Sequence, residues 1–249
     1  MSKKLEGKIA LVTGASKGIG AAIAKHLAAE GARVVVNYAS SKADGEKVVA
    51  EITKAGGQAV AVQADVAKKA DIERLLAEVK KAHGKLDILV NNAGIFSPGA
   101  PLGQITEEHF HRMFDLNVLG VILVTQEALP LMGEGGSIIN TSSVVSTLSP
   151  PGNPVYNASK AAVDCLTRTF ARELGPKKIR VNSVNPGLVE TEGVNSAPHL
   201  KDRKDEVAKM NMLGRIGQPD DIAPIVVYLA SDDASWTTGE SFYVSGGMH

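Results

Sequence analysis

Cysteine is nearly missing from this 249-residue chain: Cys165 stands alone, which excludes an intrachain disulfide and a thiolate cluster around a metal. Net charge is missing too. The 27 Lys plus Arg offset the 27 Asp plus Glu, so no overall field draws the chain toward nucleic acid or an anionic membrane. Neither a basic stripe nor a base-reading motif appears. At the N-terminus, MSKKLEGKIALVTG holds an apolar run too short for a signal peptide or a membrane span. The expected location is therefore the cytoplasm. No linker rich in Pro, Gly or Ser divides the chain, and no repeat recurs. A chain of this length can bury roughly 70–75% of its unfolded surface as one domain.

Short Val- and Ile-rich runs alternate with longer amphipathic segments. The expected strands are Ile9–Thr13, Arg33–Asn37, Ala59–Gln63, Ile88–Asn91, Ser137–Thr141, Arg180–Val184 and Ser241–Val244. Mostly uninterrupted apolar runs of this kind fit central strands of a parallel sheet covered on both faces. Between them the helical period runs through Ile19–Glu30, Lys42–Ala55, Asp71–His83, Glu107–Leu131, Tyr156–Leu174 and Asp220–Ala230. The alternation predicts an α/β doubly wound, Rossmann-type single domain. Residues 192–212 break the rhythm: they are polar, carry Pro198 and follow a strand's carboxyl end. They read as a lid over a substrate, with an ordinary surface insertion as the alternative.

Thr13–Gly20, TGASKGIG, places glycines 14, 18 and 20 directly after the first strand. Gly14 permits a tight turn, while Gly18 and Gly20 let backbone approach a phosphate at a helix start, where free amides point. The second strand ends in Asn37, Tyr38, Ala39 and Ser40, without the carboxylate that would accept from an adenosine ribose. Lys17 can reach a 2′-phosphate, with Ser40, Ser41 and Lys42 as further donors, or it is simply solvated. NADP(H) is thus favoured, with NAD(H) possible. Asp65 is placed to accept from an adenine amino group or to cap a turn. Asn91–Asn92–Ala93–Gly94 offers amides and a small surface where strand becomes loop.

Tyr156 and Lys160, four residues apart in NPVYNASKAAV, share one helix face. A free phenol with a pKa near 10 is a poor acid or base at neutral pH, and a neighbouring cation favours its phenolate. Tyr156 is therefore expected to pass a proton to and from a substrate oxygen during hydride transfer, with Lys160 lowering its pKa. Ser143, or its neighbour Ser142, ends the strand SIINTSS and can donate to that oxygen. Asn117 lies among apolar residues in a helical stretch, where an amide must find partners.

Together TGASKGIG, NNAG, Asn117, Ser143, Tyr156-x-x-x-Lys160 and PGLVET (186–191) resemble the short-chain dehydrogenase/reductase family in its single-domain form. The likeness runs through LGRIGQPDDIA (213–223) to TGESFYVSGG (238–247). The resemblance implies a seven-stranded parallel sheet with three helices on each face, and a catalytic tetrad of Asn117, Ser143, Tyr156 and Lys160. The family's thirteen-residue separation from the tyrosine selects Ser143 over Ser142. It also implies cofactor contacts from Gly14, Ser16, Lys17, Gly18, Ile19 and Gly20. Further contacts would come from Asn37, Tyr38, Ala39, Ser40, Asp65, Val66, Asn91, Ala93, Gly94, Pro186, Gly187, Val189 and Thr191. Tyr38 stands where NAD-preferring members carry aspartate. Members commonly form homotetramers that pair the helices corresponding to 107–131 and 156–174.

Two groups of relatives are in view: 3-oxoacyl-carrier-protein reductases, and glucose 1-dehydrogenase-like or broad carbonyl reductases. The former typically carry TRD after NNAG-I, followed by basic residues. Here Ile95 is followed by Phe96-Ser97-Pro98-Gly99-Ala100, which weakens attraction for an acidic carrier. Phe96, Val145, Leu148 and Leu188, with Leu200 or Met212 from the lid, read either as an apolar pocket around Ser143 and Tyr156 or as ordinary core packing. A small or medium carbonyl compound and its alcohol are the expected substrates. A dinucleotide-binding sensor is the non-enzymatic alternative. No metal is expected: Glu108, His109 and His111 read as a solvated helix surface, and Cys165 reads as buried core.

Overall fold

The computed structural model describes residues 3–96, 100–196 and 204–248. Seven strands form one parallel sheet: β1 (Ile9–Val12), β2 (Arg33–Tyr38), β3 (Gln58–Gln63), β4 (Leu86–Asn91), β5 (Met132–Thr141), β6 (Arg180–Pro186) and β7 (Ser241–Val244). Their order is β3-β2-β1-β4-β5-β6-β7, so the connections reverse direction between β1 and β4. Crevices at such a reversal receive ligands in doubly wound sheets.

The central strands are apolar because both faces are covered: β1, IALV, is buried throughout. Cover on one face comes from α1 (Gly18–Ala29), α2 (Lys42–Lys54) and the C-terminal helix Pro219–Ala230, packed through Ile23, Leu27, Val48, Ile52, Ile222 and Val226. On the other face lie α3 (Lys69–His83), α5 (Gly120–Ala128) and, after the short α6 (Val145–Leu148), α7 (Pro154–Leu174), with Ile72, Leu75, Val124, Ala128, Ala171 and Leu174.

Three expectations need correction. Strand β3 is an edge strand with Val60 exposed, not a doubly covered one. Strand β5 begins five residues before the expected Ser137, through the glycine-rich MGEGG, and the register shifts between Leu86 and Ile88. That stretch lacks the β-branched residues that announce a strand. Cys165 is exposed rather than buried. Its helix buries Val155, Asn157, Ser159, Lys160, Val163, Asp164, Thr167 and Ala171, and at about 100° per residue position 165 turns away from that stripe.

The 107–131 stretch is helical but not uniform. It comprises α4 (Glu107–Phe114), a π turn (Asp115–Leu119), α5 and a short 3₁₀ turn (Leu129–Leu131). Thr106 starts it by accepting the His109 amide at 3.1 Å, a side-chain cap on an otherwise free donor. This is the one stretch among the described residues long and apolar enough to cross a membrane by length and composition. Its α5 portion packs on α3 and β4 within the layered core.

Candidate active site

The glycine turn is fastened to its neighbours by polar side chains. Thr13 Oγ1 accepts the Asn92 and Ala93 amides, each at 3.0 Å. Asn92 Nδ2 donates to the Thr13 and Gly14 carbonyls at 3.0 and 3.1 Å. From β2, Asn37 accepts the Gly14 amide at 3.2 Å and donates to Ala64 O at 3.0 Å. Gly14 and Gly18 have φ of 61° and 52°, a region that disfavours side chains. A Cβ on Gly14 would lie 2.8 Å from Ala93 Cα, so the β1 and β4 loops touch through bare backbone.

No acidic residue occupies the first turn of α1, and no side chain caps it at Lys17. The Gly18 amide instead donates to Glu192 Oε2, 3.1 Å away. That carboxylate oxygen stands in for a phosphate oxygen, and it shows the turn accepting an anion from outside. The residues present therefore fit the pyrophosphate of a dinucleotide.

Across the same sheet edge, Tyr156 lies in the first turn of α7, which opens with Pro154. Ser143, just past β5, stands beside the phenol with its hydroxyl donating to Pro186 O at 3.5 Å, and the Phe96 ring meets the Tyr156 ring edge-on at 5.0 Å between centroids. Lys160 Nζ lies 5.8 Å from the Tyr156 ring centroid and donates to Thr141 O at 2.9 Å. Ser142 points elsewhere, giving its hydroxyl to Lys160 O at 3.0 Å. Asn117 is held inside the π turn. Its Oδ1 accepts the Ile95 amide at 2.9 Å, and its Nδ2 donates to Ile95 O and Ser159 Oγ at 3.0 and 3.2 Å. A Cβ on Gly94 would sit 3.2 Å from Asn117 Oδ1 and 3.6 Å from Lys160 Nζ.

Burial dominates the electrostatics. The Tyr156 phenol is pushed up to about 12 by desolvation, and the Ser143 hydrogen bond only partly opposes this. Burial lowers Lys160 to about 8, against the field of Asp164 one turn further on. Desolvation thus governs the phenol, and Ser143 rather than the expected ammonium is the group that lowers it. A buried ammonium is the costly form of Lys160. This penalty is full below about pH 8 and is relieved between there and the ordinary value of 10.5.

The other expected positions divide. Ser16 and Ile19 are half-buried beside the turn, and Ala39 and Ser40 are exposed at the end of β2. Pro186 O accepts the Val144 amide, the Gly187 amide donates to Val244 O, and Val189 bridges to Gly217. Thr191 caps Val194 at 3.3 Å. Several have partners within the frame. Asn91 donates inward to Thr125 and Asn140, Asp65 caps the Ala67 amide at 3.1 Å, and Val66 O packs against Gly120. Leu188 and Val145 are half-buried, Leu148 and Met212 are exposed, and Leu200 lies outside the described residues. Thr13, Asn92 and Glu192 were not picked out as site residues; only the second asparagine of NNAG hinted at such a role.

A phosphate-accepting turn and a phenol–ammonium–hydroxyl group on one sheet edge define a dinucleotide-dependent oxidoreductase. The family model described as enoyl-(acyl carrier protein) reductase matches residues 14–249. An uncharacterised oxidoreductase of Methylorubrum extorquens is 54% identical over 246 residues, covering 98% of this chain and 99% of that protein. A short-chain dehydrogenase from Burkholderia cenocepacia in complex with NADP superposes with a TM-score of 0.92 at 39% identity, over 98% of this chain and 99% of that one. The angucycline C-6 ketoreductase LanV with bound NADP superposes with a TM-score of 0.92 at 38% identity, over 100% and 98%. The chain belongs to the short-chain dehydrogenase/reductase family and is an NAD(P)(H)-dependent oxidoreductase working between carbonyl and alcohol.

Proposed function

We propose that the protein is an NADP(H)-preferring reductase of small or medium ketones and aldehydes, with Tyr156 as general acid in reduction and general base in oxidation. The observation that carries this reading is the half-buried Tyr156 phenol, within reach of Ser143 and faced by Lys160. Bound cofactor supplies the hydride to the carbonyl carbon. Tyr156 Oη gives its proton to the carbonyl oxygen, Ser143 Oγ donates to the same oxygen as charge grows, and Lys160 stabilises the phenolate left behind. Asn117 positions Ile95 and, through Ser159, the turn that carries Tyr156, since Ser159 Oγ donates to Tyr156 O at 2.8 Å. Phe96 forms the apolar wall beside the reacting carbonyl. The absence of basic residues after Ile95 favours a free carbonyl compound over one tethered to an acidic carrier, and the LanV relationship supports ketone reduction.

Residues 192–212 serve as the lid in this reading. The described part is braced: Lys204 Nζ binds Glu190 Oε1 at 2.8 Å and also Asn195 Oδ1, while Gln218 Nε2 binds Glu190 Oε2 at 3.1 Å. Exposed Phe110 and Leu119 support a homotetramer assembled through the long helices, for which light scattering gives the mass. In the same reading the enzyme works in the cytoplasm on small molecules, with neither nucleic acid nor membrane as partner.

The test follows cofactor absorbance with NADPH and NADH across ketones, aldehydes and a 3-oxoacyl thioester, and the oxidised cofactors with alcohols and glucose. Ketone turnover with NADPH and little thioester turnover is the expected result. Thioester preference would move the enzyme to acyl-chain reduction, and glucose oxidation to sugar chemistry. The pH profile is a second prediction. Reductive kcat/KM is flat below about pH 8 and falls above it, because Lys160 loses its charge near about 8 while the phenol stays protonated toward about 12. A profile rising from pH 8 to 10 contradicts these roles.

A further inference from the structure

Lys17, at the start of α1, does not stand alone in the cleft. Its Nζ lies 3.0 Å from Asp44 Oδ2, and both side chains are about half exposed, at 48% and 46%. Asp44 belongs to the first turn of α2, so the pair bridges the cleft outside the carboxyl ends of β1 and β2. The position is set by packing. Tyr38 closes β2 with a buried ring, and a Cβ on Gly45 would lie 2.8 Å from that ring. The bare Gly45 backbone therefore seats the first turn of α2 on the ring and presents its neighbour, Asp44, to the cleft. In doubly wound sheets the adenosine ribose of a dinucleotide lies at this place, where an acidic group binds the 2′-hydroxyl.

The two cofactors differ only at that ribose. A 2′-hydroxyl can donate to a carboxylate, whereas a 2′-phosphate offers acceptor oxygens and negative charge and is repelled by it. The phosphate also finds Lys17 already shared with Asp44. The nearest further cation on α2, Lys42, faces Glu46 at 3.6 Å and is mostly exposed. Resting on the NADP(H) reading above, we propose that Asp44 is a cofactor-specificity residue: it restrains binding of the 2′-phosphate, favours the 2′-hydroxyl, and keeps NAD(H) within reach. It occupies α2 rather than the end of β2, where sequence reasoning looks for such a carboxylate.

The experiment measures dissociation constants of NADPH, NADH, adenosine 2′,5′-bisphosphate and AMP for the full chain and for Asp44→Asn, with Asp44→Ser as a second variant that also suits a first helical turn. Removing one charge from a half-exposed, solvent-screened cleft is expected to raise the NADPH-to-NADH affinity ratio about tenfold. The bisphosphate-to-AMP ratio should rise in parallel, without involving the nicotinamide site or turnover. In a Lys17→Gln background the gain for the bisphosphate should shrink to about threefold or less, because the released cation is gone. Ratios within twofold of wild type, or a shift toward NADH, would overturn the proposal. A wild type that binds NADH more tightly than NADPH would sink the NADP(H) preference alone, since the change in ratio on substitution still decides the role of Asp44.

Discussion

Tyr156→Phe is expected to lower reductive turnover by about 10³-fold while NADPH affinity changes less than about threefold, a loss within the range for a positioned proton donor. The substitution keeps the ring, and with it the edge-on contact to Phe96, and deletes the phenol oxygen beside Ser143. The hydride path is untouched, but the developing alkoxide loses its positioned proton donor. Ser143→Ala should cost less, about 10²-fold, because the phenol remains and only a donor to the growing charge is lost. Stopped-flow single turnovers with pre-bound NADPH separate chemistry from binding. Full activity in the phenylalanine variant would end the proton-transfer role and leave Lys160 or solvent as the source.

Gly20→Ala should be the most damaging single-methyl change at the cofactor turn. Helix propensity argues the other way, since alanine in a helix is favoured over glycine by about 1 kcal/mol. The added Cβ, however, would lie 2.5 Å from Gly14 O and 3.0 Å from Ala15 Cα, and against the Asn92 amide. Those atoms belong to backbone and to the side chain that fastens the turn to β4, so they cannot yield cheaply. Overpacking of this kind costs about 3 kcal/mol, which outweighs propensity. The net loss of about 2 kcal/mol lowers Tm by about 4–8 °C in a chain of this size, and NADPH binding weakens with the turn. Gly84→Ala is the control: its Cβ would meet nothing within 4 Å, but its φ of 72° costs backbone strain of about 1 kcal/mol. Equal Tm values for the two variants would show that the clash at Gly20 is relieved.

The sheet was legible wherever hydrophobic pattern and position agree. Central strands such as IALV and RVVVN announce themselves by unbroken apolar runs, and their ends differ from expectation by only a residue or two. The start of β5 was hidden because MGEGG joins the sheet through backbone bonds, which carry no side-chain signature. At the site, residue type revealed the chemistry of Tyr156 and Lys160 but not which partners frame them. The side chains of Asn37 and Asn91, expected at the cofactor, bond inward to Gly14 and to Asn140. An asparagine reads alike in sequence whether it faces a ligand or a carbonyl. Nor can a local pattern show Glu192 meeting Gly18 from 174 positions away. The choice between Ser142 and Ser143 came only from the family's separation, and the structure places the two hydroxyls on opposite duties.

The π turn at Asp115–Leu119 gives the helix an extra residue within one revolution. Rotational bookkeeping therefore differs on its two sides. Met113 faces inward before it and Val121, Val124 and Ala128 after it, with Asn117 buried between. A uniform helix from 107 to 131 could not keep all these residues in their present alignment with Ile95 and Ser159. Making the turn regular while keeping every residue of DLNVL would leave an intrinsically better helix, but would swing one half by about 100° relative to the other. The polar anchor and the apolar stripe would then compete for the same side. Here the irregular conformation is what reconciles two registers, and regularising it would stabilise the segment at the expense of the site.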